Sequence, residues 1–175
     1  MPCLTSTSTL KVCVGILLPS SYPNEIVTDD GHYFHRHQVI DEIVKLHLYL
    51  GHKLGENLNP MAVREGVETM IENSSLGQYV LAWTENDQVI GQLEIKKTFE
   101  AWYNSAYWYL DNYVVFPEFQ KKGVGTILLN YVKKLADMEG IGCLRLYVAN
   151  HNIDAEAFYT HRGFYAKGHM MEYQF

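Results

Sequence analysis

Hydrophobic residues along the chain change their spacing several times, and each change predicts a different element. The segment 10–18 is apolar apart from Lys11, which predicts a strand. The segment 19–31 is rich in Pro, Ser, Asn and Asp and is predicted to be a loop. From about Gln38, apolar residues recur at a mostly helical spacing that ends at Gly51. The first helix is therefore expected between these two residues.

A second helix and a hairpin are expected next. Asn59 is a suitable N-cap and Pro60 a suitable first residue for the helix, which carries apolar residues at helical spacing. Two segments with strand character, 78–84 and 88–96, then flank the turn-forming residues 85–87. This order predicts two antiparallel strands joined by a tight turn.

The last third of the chain alternates between strand and helix patterns. A strand is expected over 107–116, an amphipathic helix over 123–139 and a half-buried strand over 144–148. A short helix over 154–161 and a final strand over 164–175 complete the pattern. Hairpin strands followed by a β-α-β crossover predict an α/β domain with a mixed sheet.

The size and charge of the chain limit its function. A chain of 175 residues that is 47% hydrophobic fits a single domain spanning 1–175 and is not wholly disordered. Residues 1–9 are expected to form a loose N-terminal arm. Lys and Arg number 14 and Asp and Glu number 20, which gives a net charge of −6. This balance argues against nucleic-acid binding and favours a small-molecule partner, including a cation.

Cysteine usage and the length of the apolar segments bear on location. Cys3, Cys13 and Cys143 are scattered and odd in number, so neither a disulfide framework nor a zinc site is expected. No segment approaches the roughly 18 apolar residues of a membrane span. The apolar segment 10–18 also lacks the positively charged start of a signal peptide. We therefore expect a cytoplasmic protein without a membrane partner, and a homodimer is left open.

The candidate chemistry centres on a glycine-containing turn before the predicted helix 123–139. The turn reads Gln120-Lys121-Lys122-Gly123-Val124-Gly125-Thr126. Free N–H groups and the dipole at a helix N-terminus suit a phosphate or pyrophosphate, and glycine lets the backbone approach it. A P-loop is excluded because the lysines precede the glycines, and a dinucleotide fingerprint because Leu128 replaces its third glycine. A pyrophosphate turn of the form Q/R-x-x-G-x-G/A and a simple tight turn both remain.

Two motifs in the correct order resemble those of the GNAT superfamily of N-acetyltransferases. The segment 109–119 runs into the glycine turn, as the family's fourth strand runs into its acetyl-CoA turn. Downstream, the sequence from Asn152 to Phe164 matches the family's second signature, N-x-x-A-x-x-x-Y-x-x-x-G-F. The resemblance extends from about Tyr109 to Phe164. It implies a central, mostly antiparallel twisted sheet with a β-α-β acetyl-CoA-binding core, flanked by helices.

The resemblance also implies a role for each matching residue, with acetyl-CoA as co-substrate and no metal. The strand backbone would bind the pantetheine arm, the turn amides the pyrophosphate, and the second signature the thiol end. The implied cofactor-binding residues are Tyr113, Val114, Val115, Gln120, Lys121, Lys122, Gly123, Val124, Gly125, Thr126, Asn152 and Ala155. Tyr159 would protonate the leaving thiolate, which suits a phenol with a pKa of about 10 beside a thiol of about 8.5. The helix pattern alone favours a core aromatic at this position.

Two carboxylates are candidates for removing the proton from the acceptor amine. By alternation, Asp111 shares a strand face with Tyr109, Tyr113 and Val115, so we expect it to point toward the reacting end of the cofactor. Glu94, on the neighbouring strand, is the second candidate. For each, the alternative is a solvated carboxylate on a strand.

The segment 109–119 resembles in particular the spermidine/spermine branch of the family. That branch has a Glu-Asp pair where this chain has Asp111-Asn112. The resemblance implies acetyl transfer to a primary amine by direct attack in a ternary complex, with a small, cationic, polyamine-like acceptor. A protein N-terminus or lysine as acceptor, and a non-catalytic acetyl-CoA sensor module, are the alternatives.

Two further clusters lie outside these motifs. His32, His35 and His37 have no clear carboxylate or Cys partner, so we expect a loop or a lining of the acceptor site there rather than a metal site. An aromatic run could wall an amine pocket through cation–π contacts or simply pack the sheet. Its members are Phe99, Trp102, Tyr103, Tyr107, Trp108 and Tyr109. Alternation places Trp108 on the strand face opposite Asp111.

Overall fold

The computed structural model describes residues 4–5, 10–20, 22–101, 104–168 and 171. These residues form one sheet whose eight strands run in the order β4-β3-β2-β5-β6-β7-β8, with β1 beside β2. The strands are β1 (Leu4–Thr5), β2 (Lys11–Pro19), β3 (Glu25–Thr28), β4 (Tyr33–His35), β5 (Gly77–Thr84), β6 (Val89–Glu100), β7 (Ser105–Val115) and β8 (Leu144–Leu146). All pairs are antiparallel except β7 with β8, which is parallel. The predicted mixed, mostly antiparallel sheet is confirmed.

Helices pack on both faces of this sheet. They are α1 (Arg36–Leu54), α2 (Pro60–Glu72), α3 (Val124–Met138) and α4 (Ile153–Thr160). The start of α2 is confirmed: the Asn59 side chain accepts hydrogen bonds from the amides of Met61 at 2.9 Å and Ala62 at 3.3 Å. The first helix is longer at both ends than predicted, and it ends at Gly55 in the left-handed conformation.

Two apolar cores hold the helices against the sheet, one on each face. The core under α3 contains Leu128, Leu129 and Val132, which are fully buried. The core under α1 and α2 contains Ile43 and Leu46, which are also fully buried. Burial of one such side chain stabilises the fold by about 1.5–3 kcal/mol, so the apolar stripes fix the helix positions. No helix in the described ranges is both long and apolar enough to cross a membrane.

The segment 19–31 contains a strand, so its prediction as a loop is wrong in part. Strand β3 pairs with β2 and β4 and buries Ile26 and Thr28, while Val27 between them is half-buried. The strand has only four residues, and polar residues on both sides hide its alternation in the sequence.

The two ends of the chain also differ from expectation. The final strand predicted over 164–175 is absent from residues 164–168, and the side chain of Phe164 packs against the core under α3. The remaining part of that segment, apart from Met171, lies outside the described residues. At the N-terminus, β1 pairs with β2. The other residues of the predicted arm 1–9 lie outside the described part of the chain.

Candidate active site

Strands β7 and β8 separate after a short stretch of pairing. They pair only from Trp108 to Leu110 on β7, whereas β7 continues along β6 as far as Val115. The outer edge of β7 beyond Leu110 is therefore not paired with β8. Main-chain N–H and C=O groups along such an edge need partners, so this gap suits a narrow ligand that carries amide groups.

The other edge of β7 carries a bulge beside the same gap. Asp111 pairs with Glu94 and Val114 pairs with Gln92, so β7 has one more residue than β6 between these pairs. Asn112 adopts the left-handed conformation at this point, with a φ of 43°. The bulge places a kink in the backbone where the strands begin to separate.

The bulge also reverses which side chains face each helix. Tyr113 and Val115 pack against the core under α3, whereas Val114 belongs to the core under α1. Asp111 points to the α1 side, so the prediction that it shares a face with Tyr113 and Val115 is wrong. The expectation that Trp108 faces away from Asp111 is confirmed, because Trp108 lies in the core under α3.

The glycine turn leads directly into α3, as predicted. Gly123 is the N-cap, with a φ of 85°, and Lys121 also has a positive φ of 57°. The first hydrogen bond of the helix runs from the Ile127 amide to the Gly123 carbonyl at 3.0 Å. Helix geometry leaves the preceding amides without an acceptor within the helix, and Lys121 and Lys122 are exposed beside them. This arrangement fits a pyrophosphate group.

A hydrogen bond ties β7 to this turn. The Tyr113 hydroxyl donates to the Gly125 carbonyl, and burial raises the pKa of Tyr113 far above its ordinary value. A Cβ at Gly125 would lie 3.0 Å from the Tyr113 hydroxyl oxygen, which is tighter than ordinary contact. Gly125 therefore lets the turn approach the strand. Gln120 also binds the strand end, because its Nε2 donates to the Val115 carbonyl at 2.8 Å.

Helix α4 brings Tyr159 to the same region. The ring centroids of Tyr159 and Tyr113 are 6.1 Å apart. Burial, followed by the charge of Asp111, raises the pKa of Tyr159, so its hydroxyl keeps its proton at neutral pH. The side chain of Asn152 accepts a hydrogen bond from the Ala155 amide at 3.2 Å. Asn152 thus caps α4 and fixes the helix that carries Tyr159.

Arg162 joins α4 to the glycine turn, a contact that the sequence analysis missed. Its Nη2 donates to Thr126 Oγ1 at 2.6 Å, and its guanidinium lies 3.7 Å from the ring centroid of Phe158. Its Nε is buried and has no hydrogen-bond partner among the described residues. The only sequence signal is a basic residue directly before Gly163 of the second signature.

A polar cluster lies on the α1 side of the bulge. Glu94 Oε2 accepts a hydrogen bond from Asn112 Nδ2 at 2.6 Å, and Lys96 Nζ lies 2.6 Å from Asp111 Oδ2 and 3.6 Å from Glu94 Oε1. The Glu94 side chain is only 4% exposed, against 43% for Lys96 and 40% for Asp111. Burial raises the pKa of Glu94, and the Asn112 hydrogen bond and the Lys96 charge partly oppose this rise.

His47 of α1 and Tyr79 of β5 complete the polar cluster. His47 Nε2 lies 3.1 Å from the Tyr79 hydroxyl. Burial lowers the pKa of His47 to about 4, so the imidazole is neutral at neutral pH. Burial, followed by the charges of Glu94 and Asp111, raises the pKa of Tyr79. Neither residue stands out in the sequence, because each lies alone within a mostly apolar pattern.

Gln92 adds a third polar side chain, after Glu94 and Lys96, to the same face of β6. It is fully buried, and neither its amide oxygen nor its amide nitrogen has a hydrogen-bond partner among the described residues. Buried polar atoms are nearly always paired with protein or water, so an unpaired buried amide such as this one needs a specific explanation. Gln92 pairs with Val114, next to the bulge.

The predicted histidine cluster lies around β4 and the start of α1, and not at the gap between β7 and β8. His32 Nε2 is 3.2 Å from Asp87 and His37 Nε2 is 3.3 Å from Asp41. His35 lines a cavity of about 550 Å³ between β4 and the first turns of α1. Within the described ranges, no group of three or more His, Cys, Asp or Glu residues is placed to hold a metal ion.

The members of the aromatic run that the structure describes do not form one wall. Trp108 is core, Phe99 is exposed, and Tyr107 stacks under the Arg145 guanidinium at 4.0 Å. Trp102 and Tyr103 lie outside the described residues.

Strand β7 runs into the glycine turn before α3, as the first motif implied, and the second motif begins just before α4 and extends through it. Residues 46–164 match the model of the acetyltransferase (GNAT) family. The chain therefore belongs to the GNAT acetyltransferase family, and it is an acetyl-CoA-dependent acetyltransferase. No curated protein sequence matches the chain.

Solved structures share this fold. A possible acetyltransferase from Clostridium difficile 630 is 24% identical with a TM-score of 0.76, over 95% of this chain and 99% of that chain. An acetyltransferase from Trypanosoma brucei is 12% identical with a TM-score of 0.67, over 94% and 99%. A predicted acetyltransferase with acetyl-CoA, from Clostridium acetobutylicum, is 18% identical with a TM-score of 0.66, over 78% and 90%. At these identities the likeness shows the fold alone.

Proposed function

We propose that the protein transfers the acetyl group of acetyl-CoA to a primary amine by direct attack in a ternary complex, with Glu94 as the general base. The observation that carries this proposal is the position of Glu94. Its carboxylate is buried opposite the bulge of β7, beside the point where β7 and β8 separate.

The residues that would hold acetyl-CoA surround the gap between β7 and β8. The free edge of β7 would bind the pantetheine arm, the turn amides the pyrophosphate, and α4 the thiol end. The proposed contacts are Tyr113, Val114, Val115, Gln120, Lys121, Lys122, Gly123, Val124, Gly125, Thr126, Asn152 and Ala155. When bound, acetyl-CoA supplies an acetyl thioester, which is an activated acyl group. The chain contributes by orienting the reactants and by moving protons.

Glu94 is the better base of the two candidate carboxylates. A protonated amine with a pKa of about 10.4 must lose a proton before its nitrogen can attack. A general base works best when its pKa lies near the operating pH, and burial shifts the pKa of Glu94 in that direction. Asp111 is engaged by Lys96 at 2.6 Å, so we assign it a positioning role.

Tyr159 is proposed as the general acid on the opposite side of β7. It retains its proton because burial raises its pKa. Its ring lies beside Tyr113, whose backbone belongs to the free edge of β7. In the proposal, the Tyr159 hydroxyl gives its proton to the departing sulfur while Glu94 accepts the proton of the amine.

A primary amine is the acceptor class that this arrangement supports. The polyamine-like acceptor suggested by the resemblance would require carboxylates free to bind several ammonium groups. The ion pair between Lys96 and Asp111 weighs against that version, which stays a prediction.

The test is Glu94→Gln, with turnover followed as release of free thiol from acetyl-CoA. General base catalysis contributes about 100- to 10,000-fold, so turnover should fall at least about 100-fold while acetyl-CoA binding is unchanged. Glu100→Gln is the matched control, because Glu100 lies on the same strand and pairs with Arg145 instead. Full turnover in folded Glu94→Gln would exclude Glu94 as the base.

A further inference from the structure

The ammonium group of Lys96 is held by the two candidate carboxylates of the site. Its Nζ lies between Asp111 Oδ2 at 2.6 Å and Glu94 Oε1 at 3.6 Å. Lys96 and Asp111 are both partly exposed, whereas Glu94 lies beneath them. The ion pair therefore covers the buried carboxylate on the α1 side.

One negative charge remains at this ion pair when Glu94 is ready to act as a base. Lys96 and Asp111 cancel each other, so the Glu94 carboxylate is matched by the reacting ammonium and leaves no free carboxylate for a second one. Burial alone would lower the pKa of Lys96, but its hydrogen bond to Asp111 and the charges of both carboxylates raise it, so Lys96 stays charged. Among the described residues, the groups with electrostatic influence here are otherwise neutral: His47 has its pKa lowered to about 4, and Tyr79 keeps its proton.

An acceptor with two positive charges gains little in such an environment. Its reacting nitrogen must lie near Glu94, which brings any second ammonium close to Lys96. Like charges repel at this distance, most strongly where water is partly excluded. An ammonium group has three hydrogen-bond donors, and two of those on Lys96 face the carboxylates. The third can meet a neutral or anionic group of the acceptor.

We propose that Lys96 determines acceptor specificity: it selects primary amines whose neighbouring group is neutral or anionic and disfavours polyamines. This inference rests on the proposed function, because it takes Glu94 to be the site of the reacting amine. It makes Lys96 a specificity residue and not a catalytic one.

The experiment compares three amines of similar chain length: butylamine, putrescine, which adds a second ammonium, and γ-aminobutyrate, which adds a carboxylate. The value of kcat/KM is measured by thiol release, at a pH above the range in which kcat/KM falls on acidification. The binding of each amine is measured separately by calorimetry with CoA present. Lys96→Met removes the charge and keeps the length. Lys97→Met is the matched control, because alternation places Lys97 on the opposite face of the same strand.

In the wild type, kcat/KM should be highest for γ-aminobutyrate and lowest for putrescine. The value for putrescine should be about tenfold below that for butylamine. In Lys96→Met, kcat/KM for putrescine should rise to at least the value for butylamine, and kcat/KM for γ-aminobutyrate should fall. Lys97→Met should behave as the wild type. High salt should narrow the wild-type difference, because screening weakens an electrostatic preference. This salt test needs no variant: a difference that high salt leaves unchanged would exclude a partly exposed charge such as Lys96 as its cause.

The two proposals fail in different ways. If no amine is acetylated but putrescine binds more tightly to Lys96→Met than to the wild type, the proposed function fails and the role of Lys96 holds. If amines are acetylated and the ratio of kcat/KM for putrescine to kcat/KM for butylamine is the same in Lys96→Met and Lys97→Met, Lys96 does not determine acceptor specificity. A wild-type preference for putrescine, or binding of none of the three amines, overturns the inference as well.

Discussion

The two faces of strands β6 and β7 differ sharply in chemistry. Toward α3, most side chains are apolar and form a core, with Leu93, Ile95, Trp108 and Leu110 almost fully buried. Toward α1, the same strands present Gln92, Glu94, Lys96 and Asp111. Burying polar groups costs free energy unless they are paired, and Gln92 is not paired within the described residues. The α3 face of these two strands is thus explained mainly by the fold, whereas folding alone does not explain the polar residues on their α1 face.

The largest effect is expected on the α3 side, at the glycine turn. Gly125→Glu places a side chain against Tyr113 and a negative charge where the pyrophosphate is proposed to bind. The loss of two charge-assisted hydrogen bonds costs about 3 kcal/mol or more, so acetyl-CoA affinity should fall at least about 100-fold in calorimetry. Gly66→Glu is the control, because a Cβ there meets nothing within 4 Å. Unchanged acetyl-CoA affinity in folded Gly125→Glu would mean that the pyrophosphate does not bind at this turn.

A smaller effect is expected from Tyr159→Phe, which tests whether the α3 side contributes the acid. This change removes only a hydroxyl, so kcat should fall by about 100-fold, at the lower end of general acid–base effects, with acetyl-CoA affinity preserved. The control is Tyr165→Phe, which removes a hydroxyl from an exposed tyrosine. Equal turnover in the two variants, measured by thiol release, would reduce Tyr159 to a packing residue.

The smallest effect concerns stability on the α1 side. The pKa of His47 falls from 6.5 to about 4 in the folded protein, so the unfolded chain binds more protons between these values. The free energy of unfolding should therefore decrease as pH falls from 6.5 toward 4, with a contribution from His47 of at most about 3 kcal/mol.

His47→Gln should lose this part of the pH dependence in chemical denaturation experiments. The control is His52→Gln, which changes an exposed histidine on the same helix. An identical pH dependence in wild type and His47→Gln would mean that His47 is not held neutral by burial.

Local sequence patterns predicted the glycine turn well and the polar α1 side of the sheet poorly. The turn from Gln120 to Thr126 and the start of α3 depend on neighbouring residues, so glycine positions and helical spacing were sufficient to predict them. The α1 side depends on pairing between distant segments. The contact of Lys96 with Asp111 requires the register of β6 on β7, and the contact of His47 with Tyr79 joins a helix to a strand.

The bulge at Asn112 explains the error in the predicted face of Asp111. Alternation with period two holds only while a strand is regular, and a single extra residue reverses the faces beyond it. Asn is one of the few residues other than Gly that adopts a positive φ readily, so its position beside Asp111 is consistent with a bulge but does not identify one. Arg162 was missed for a similar reason, since its partner Thr126 lies 36 residues away.

The central claim, that Glu94 is the base, is tested most directly by the acidic limb of kcat/KM in Asn112→Gly. The hydrogen bond from Asn112 lowers the pKa of Glu94, so its removal should raise that pKa, and glycine accepts the positive φ. Because the base acts when deprotonated, the limb should move to higher pH, by about one unit. Asn104→Gly, at a positive φ in an exposed turn, should leave the limb in place. A limb that stays fixed in Asn112→Gly, or moves equally in both variants, would contradict the assignment of Glu94.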